Sequence, residues 1–232
     1  MVSTNPPIRD TSSVPIIADG SAMDKTDSRR DRAGCRRLPA GIVILLCLLS
    51  GGLLILCFPP YCQGWLAWVA LVPWLRAVIR GRRVWTLLGT WLSGLVFFAG
   101  LMSWLRLFGP GVWGYFLILV LSAVESLAFA AAALAIRLAH PRGAWAMIIA
   151  AGCAWVTFEW ARSLGAFGLS WGMLGLSQAP YPCVVRWASW FGVPGISFAI
   201  VVFNAAIVAA LPGAGYRGRN RLRAVVIAAV LL

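Results

Sequence analysis

Acidic residues are nearly absent from this chain. All five aspartates lie within the first 31 residues, and only Glu125 and Glu159 follow them. Lysine occurs once, as Lys25, and histidine once, as His140. Charged residues make up 12% of the 232, about half the share a soluble domain carries. That scarcity excludes an ordinary soluble domain. The cysteines and the single histidine show no zinc-ligand spacing, so no metal and no cofactor is implied. No basic face is interleaved with aromatics and no helix-turn-helix pattern is present, so the net charge of +13 does not point to nucleic acid.

What the chain has in quantity is apolar length. It is 61% hydrophobic with a mean hydropathy of +0.84, and several runs approach the ~20 residues needed to cross a hydrocarbon core. Its thirteen tryptophans fit interfacial belts. The fold class is therefore an all-α polytopic membrane protein. Residues 1–38, rich in Ser, Asp, Arg and Pro, read as a disordered basic cytoplasmic tail, and residues 39–232 as a transmembrane helical domain. The arginines before the first apolar run suggest a signal peptide. The run at 40–58 exceeds a usual h-region and no small-x-small cleavage site follows, so an uncleaved helix is expected.

Six spans are expected, near 40–58, 63–79, 84–105, 112–138, 144–161 and 187–211, with the start of a seventh at Leu222. Pro59-Pro60, Gly109-Pro110-Gly111, His140-Pro141 and Pro212-Gly213 punctuate them. Counted on alternating loops, 17 of the 20 Lys and Arg residues fall on the side of the tail, and Arg106, Arg162 and Arg186 on the other. That asymmetry orients the N-terminus to the cytoplasm and places 162–186 on the outer face. The last run, about 11 residues from Leu222 to Leu232, is shorter than a span, so the sequence is expected to be truncated there.

The oddest stretch is Trp155–Gln178, WVTFEWARSLGAFGLSWGMLGLSQ. It is apolar enough for a bilayer yet holds Glu159, then Arg162 three residues on, a broken Gly/Ser segment and a closing Ser177-Gln178. An ionisable group at membrane depth is costly and marks a functional site or a pairing device. Three residues apart on a helix, Glu159 and Arg162 share a face and are expected to neutralise each other. Glu125, in the middle of the fourth run, is expected to be protonated or to pair with a polar group on another helix. Cys47, Cys57 and Cys153 sit in apolar runs as small hydrophobes, whereas Cys62 and Cys183 fall in outer loops where a disulfide is conceivable. His140 reads as interfacial rather than catalytic.

Four motifs in order carry a family resemblance: FPPYCQGWLAWVALVPWL (58–75), GLVFFAGLMSWL (94–105), the stretch with Glu159, Arg162, Trp171 and Ser177-Gln178, and FGVPGISFAIVVFNAAI (191–207) with Gly192, Gly195, Ser197, Phe198 and Asn204. Together they resemble the membrane domain of bacterial apolipoprotein N-acyltransferases. The resemblance implies a multi-pass enzyme of the bacterial inner membrane, working on lipoprotein maturation. It would move an acyl chain from a phospholipid donor to the N-terminal cysteine of a diacylated lipoprotein. In that family a thioester-forming cysteine, a glutamate and a lysine belong to a nitrilase-like domain following the seventh helix, and no residue here maps onto them. No catalytic residue is therefore assigned, and the chain by itself is expected to be inactive. Glu159, Arg162, Trp171, Ser177 and Gln178 are the candidates for substrate or lipid contact. Two readings follow: the membrane part of an N-acyltransferase, either truncated or served by a separately encoded catalytic domain, or a non-catalytic scaffold anchoring a partner such as a polyprenol-phosphate mannosyltransferase.

Overall fold

In the computed structural model the described residues are 37–107, 112–164, 168–216 and 224–226. They are helical, with no strand among them. The tail, up to residue 36, lies outside them, as does most of the seventh run.

Five long helices account for five of the expected spans: α1 (Ala40–Leu56), α4 (Arg83–Leu101), α5 (Val112–Ala139), α6 (Ala144–Arg162) and α8 (Ala188–Ala210). Short helices α2 (Ala67–Ala70), α3 (Val72–Arg80) and α7 (Pro182–Val185) complete the set. Four of the long helices have the length and hydropathy to cross a membrane, and α1 is a shorter apolar helix. Around the bundle, α1 packs on α4, α4 on α5, α5 on α6 and α6 on α8, while α3 touches α1, α4, α5 and α8 from inside. Trp74 of α3 is fully buried there, with its ring edge-on to Phe129 at 6.0 Å and to Trp155 at 5.8 Å. Outward faces carry exposed Leu, Val and Trp, as a helix bundle in lipid does.

Small residues let the long helices approach. A Cβ added to Gly94 of α4 would lie 2.9 Å from the Cα of Ser126 on α5, so only glycine permits that separation.

The second expected span is not one helix. It is a 3₁₀ turn (Gly64–Leu66) followed by α2 and α3, broken at Leu71. Pro73 explains the break, because it has no N–H to continue the ladder and its ring crowds the preceding turn. In lipid the freed backbone groups need partners, and neighbouring helices supply them. Asn204 of α8 stands in the interrupted Ala67–Leu71 hydrogen bond: its Nδ2 donates to the Ala67 carbonyl at 2.9 Å and its Oδ1 accepts from Leu71 N–H at 3.1 Å. The Ser50 hydroxyl of α1 donates to the Ala70 carbonyl.

Loops gather at the two ends of the bundle. At one end, Leu38 N–H donates to the Arg80 carbonyl, Arg76 to the Pro212 carbonyl and Tyr216 to the His140 carbonyl, while the His140 ring pairs through Nε2 with the Ala214 carbonyl. Burial pushes the Tyr216 phenol above its ordinary range. At the other end, Gln178 meets Gly64 and Trp171 packs against Trp104, ring centres 4.6 Å apart and planes tilted by 46°. The loops sorted onto one side by arginine count thus meet at one end.

Candidate functional site

The site is built where the end of α6 meets residues 168–178, which close into a 3₁₀ turn, Leu174–Gln178. Gly172 adopts φ +78°, a left-handed conformation that turns the chain back onto the bundle. α8 is kinked at Gly192 (φ 66°, ψ 179°) just before Pro194, and Gly175 fits against the Val193 carbonyl exposed there.

Glu159 organises this segment. It is buried, and its Oε1 accepts from the Trp155 indole N–H at 2.8 Å and from Leu174 N–H at 2.7 Å. Ser197 Oγ accepts from Gly175 N–H at 2.8 Å beside the Glu159 carboxylate. One carboxylate and one hydroxyl therefore satisfy two consecutive backbone donors of the turn. Next to it, Gln178 is fully used: Nε2 donates to the Gly64 carbonyl at 2.7 Å and to Ser177 Oγ at 2.9 Å, and Oε1 accepts from Trp68 at 3.2 Å. The Ser177 hydroxyl donates to the Leu174 carbonyl at 2.6 Å.

Arg162 does not pair with Glu159, contrary to the spacing argument. Its Nη1 lies 2.8 Å from Oε2 of Glu125 on α5, with both side chains about nine-tenths buried. It also reaches the Trp171 carbonyl at 3.4 Å, and its guanidinium sits 4.8 Å from the Phe98 ring centre. The reason is angular. Residues three apart on a helix point about 60° apart, so Glu159 faces the turn while Arg162 faces α5. Glu125 is thereby explained as the other half of an interhelical ion pair.

Of the five candidates, Ser177 and Gln178 are buried and consumed by internal bonds, Arg162 is largely so, and Glu159 is buried with Oε1 bonded twice and Oε2 without a hydrogen-bond partner. Trp171 is 49% exposed and faces outward. Sequence reasoning missed Ser197 and Trp155 as members of the network, although both stood inside motifs already singled out. Cys62 and Cys183 are free, exposed thiols, so no disulfide joins them; Cys47 and Cys57 are buried, Cys153 is exposed, and Cys35 lies outside the described residues. No cluster able to hold a metal occurs among the described residues.

Two cavities border the segment. One of about 20 Å³, room for roughly one water, lies between Glu159, Arg162, Phe97, Phe98 and Phe129. The other, about 290 Å³, is a groove lined by Trp65, Trp68, Tyr181, Cys183 and Val184, with Gln178 at its side.

Residues 50–206 match the family model described as the apolipoprotein N-acyltransferase N-terminal domain, more than half of the chain. The chain belongs to this family. The matched span contains Glu125, Glu159, Arg162, Trp171, Ser177, Gln178, Ser197 and Asn204, so the network just described lies wholly within it. Among curated relatives, an apolipoprotein N-acyltransferase of Geobacter metallireducens is 30% identical over 198 residues, covering 81% of this chain and 37% of its own length. Apolipoprotein N-acyltransferase 1 of Treponema denticola is 28% identical over 166 residues, covering 70% of this chain and 30% of its own length. The Gloeobacter violaceus apolipoprotein N-acyltransferase is 39% identical over 137 residues, covering 57% and 22%. The chain thus spans well under half the length of the curated relatives it matches.

Proposed function

We propose that this chain is the membrane domain serving an apolipoprotein N-acyltransfer reaction, in which an acyl chain passes from a phospholipid to the N-terminal cysteine of a diacylated lipoprotein. The observation that carries it is the turn at Leu174–Gln178, pinned to the bundle by Glu159, Ser197 and Gln178 beside an apolar groove of about 290 Å³. The groove's glutamine and both indole N–H groups are satisfied internally, Trp65 on Gln63 and Trp68 on Gln178. Apart from the Tyr181 hydroxyl and the Cys183 thiol, what remains facing the groove is apolar, which suits a hydrocarbon chain rather than a headgroup. Trp171 and its partner Trp104 form an aromatic pair at the same end, where an interfacial substrate would approach.

In this reading the domain lies in a bacterial inner membrane with residue 37 toward the cytoplasm and the Leu174–Gln178 turn on the outer face. The covalent chemistry comes from outside the described residues, because no activated nucleophile with an adjacent base occurs among them. The test is an acylation assay with the 232-residue chain in phospholipid vesicles and a diacylated lipopeptide. The chain alone is expected to transfer no acyl group, and adding a nitrilase-like acyltransferase domain is expected to produce the N-acylated peptide. Transfer by the chain alone would overturn the assignment of the chemistry elsewhere. Absence of transfer in both arms would count against the acyltransferase reading.

A further inference from the structure

At the end of the bundle opposite the Leu174–Gln178 turn, arginines from three separate parts of the chain come together. Arg137, near the end of α5, points its Nη1 into the end of α3, donating to the Val78 carbonyl at 2.5 Å and the Gly81 carbonyl at 2.9 Å, with Thr86 Oγ1 at 3.3 Å. Arg37 and Arg83 lie close enough to act on Arg137 electrostatically. The bond from Leu38 N–H to the Arg80 carbonyl holds Arg37 at this place. Arg37, Arg82 and Arg83 are all exposed.

Nothing described neutralises this cluster. The two carboxylates among the described residues are engaged elsewhere, Glu125 with Arg162 and Glu159 with the Leu174 amide. Arg82 and Arg83 also open α4, whose first turn has no acidic residue and no side-chain cap, so positive charge stands at the positive end of the helix dipole. Such an arrangement is stabilised by an anion.

The surroundings decide which anion. Next to the arginines and over the following turns, α1 and α4, which pack on each other, expose Ile42, Leu45, Val84 and Leu88. These faces lie in the bilayer, so the phosphate at hand beside the arginines is that of a lipid headgroup, with its hydrocarbon along the faces below. Basic pockets between membrane helices are a known means of holding anionic headgroups. We propose that Arg37, Arg82 and Arg83, arrayed around Arg137, bind the phosphate of an anionic phospholipid, with its acyl chains lying along α1 and α4.

The test is native mass spectrometry of the full-length purified protein, delipidated and then offered phosphatidylglycerol or phosphatidylcholine. The protein is expected to retain phosphatidylglycerol selectively, and millimolar inorganic phosphate should not displace it. The double substitution Arg37→Gln/Arg83→Gln is expected to weaken retention roughly ten- to thirty-fold, since each arginine near a headgroup contributes on the order of 1 kcal/mol. Arg106→Gln/Arg186→Gln, outside the cluster, should leave it unchanged. Should the glutamine pair fail to fold, the comparison of the two lipids on the unsubstituted protein still decides. Equal retention of both lipids, or displacement by inorganic phosphate, overturns the proposal.

Discussion

Arg162 and Glu125 join α6 to α5 through a 2.8 Å contact between side chains that are 10% and 11% exposed. With Glu159 held separately by Trp155 and Leu174, the two glutamates of the membrane domain have different tasks. One balances a charge between helices, and the other caps a turn.

Breaking the ion pair from one side strands a charge in a low-dielectric setting. Glu125→Gln or Arg162→Gln is expected to cost about 3 kcal/mol. The double substitution Glu125→Gln/Arg162→Gln should cost less than the two single losses added together. Unfolding of the four forms in detergent closes this double-substitution cycle. Strictly additive losses would show that the pair is not coupled.

Glu159 separates shape from charge. Glu159→Gln keeps an oxygen for the Trp155 and Leu174 donors, so the turn should stay closed. Glu159→Ala orphans two buried N–H groups at about 1–3 kcal/mol each. Limited proteolysis across 168–178 should accelerate in the alanine form and change little in the glutamine form. Equal cleavage of both forms would mean that the carboxylate does not hold the turn.

Asn204→Leu removes the amide that completes the broken α2–α3 segment and orphans the Ala67 carbonyl and Leu71 N–H. A loss of about 2 kcal/mol is expected, with faster amide exchange at Leu71 than in α3. Exchange that rises uniformly would point to general loosening instead.

Cys62 and Cys183 report on topology. Both are exposed, and both belong to the end that carries the Leu174–Gln178 turn. A membrane-impermeant maleimide added to intact cells should label both, whereas a cysteine placed at Arg82 should react only after the cells are opened. The reverse pattern would invert the orientation proposed above.

Much of this architecture was legible from residues alone. The starts and ends of α5, α6 and α8 fall within a residue or two of the expected spans, because long apolar runs bounded by Gly and Pro leave the backbone little choice in lipid. The second expected span is two helices rather than one, and Pro73 marks its break. Hydropathy does not register a proline whose lost bond a neighbouring helix makes good. The candidate stretch was found because Glu159 was conspicuous, but its partners were not legible. Spacing along one helix pairs Glu159 with Arg162, whereas the partners used are Trp155 one turn earlier on α6 and groups on α5, on α8 and in the turn itself. Asn204 stood out within its motif, yet its role required Ala67 and Leu71 to be placed opposite it.

The most direct test of the functional reading is mass spectrometry of lipoprotein N-terminal peptides from cells with and without this gene. The account predicts that without it the N-terminal cysteine keeps its two ester-linked chains but has a free amine, and that restoring the gene restores the N-acyl group. Fully N-acylated lipoproteins in the cells lacking it would contradict the account.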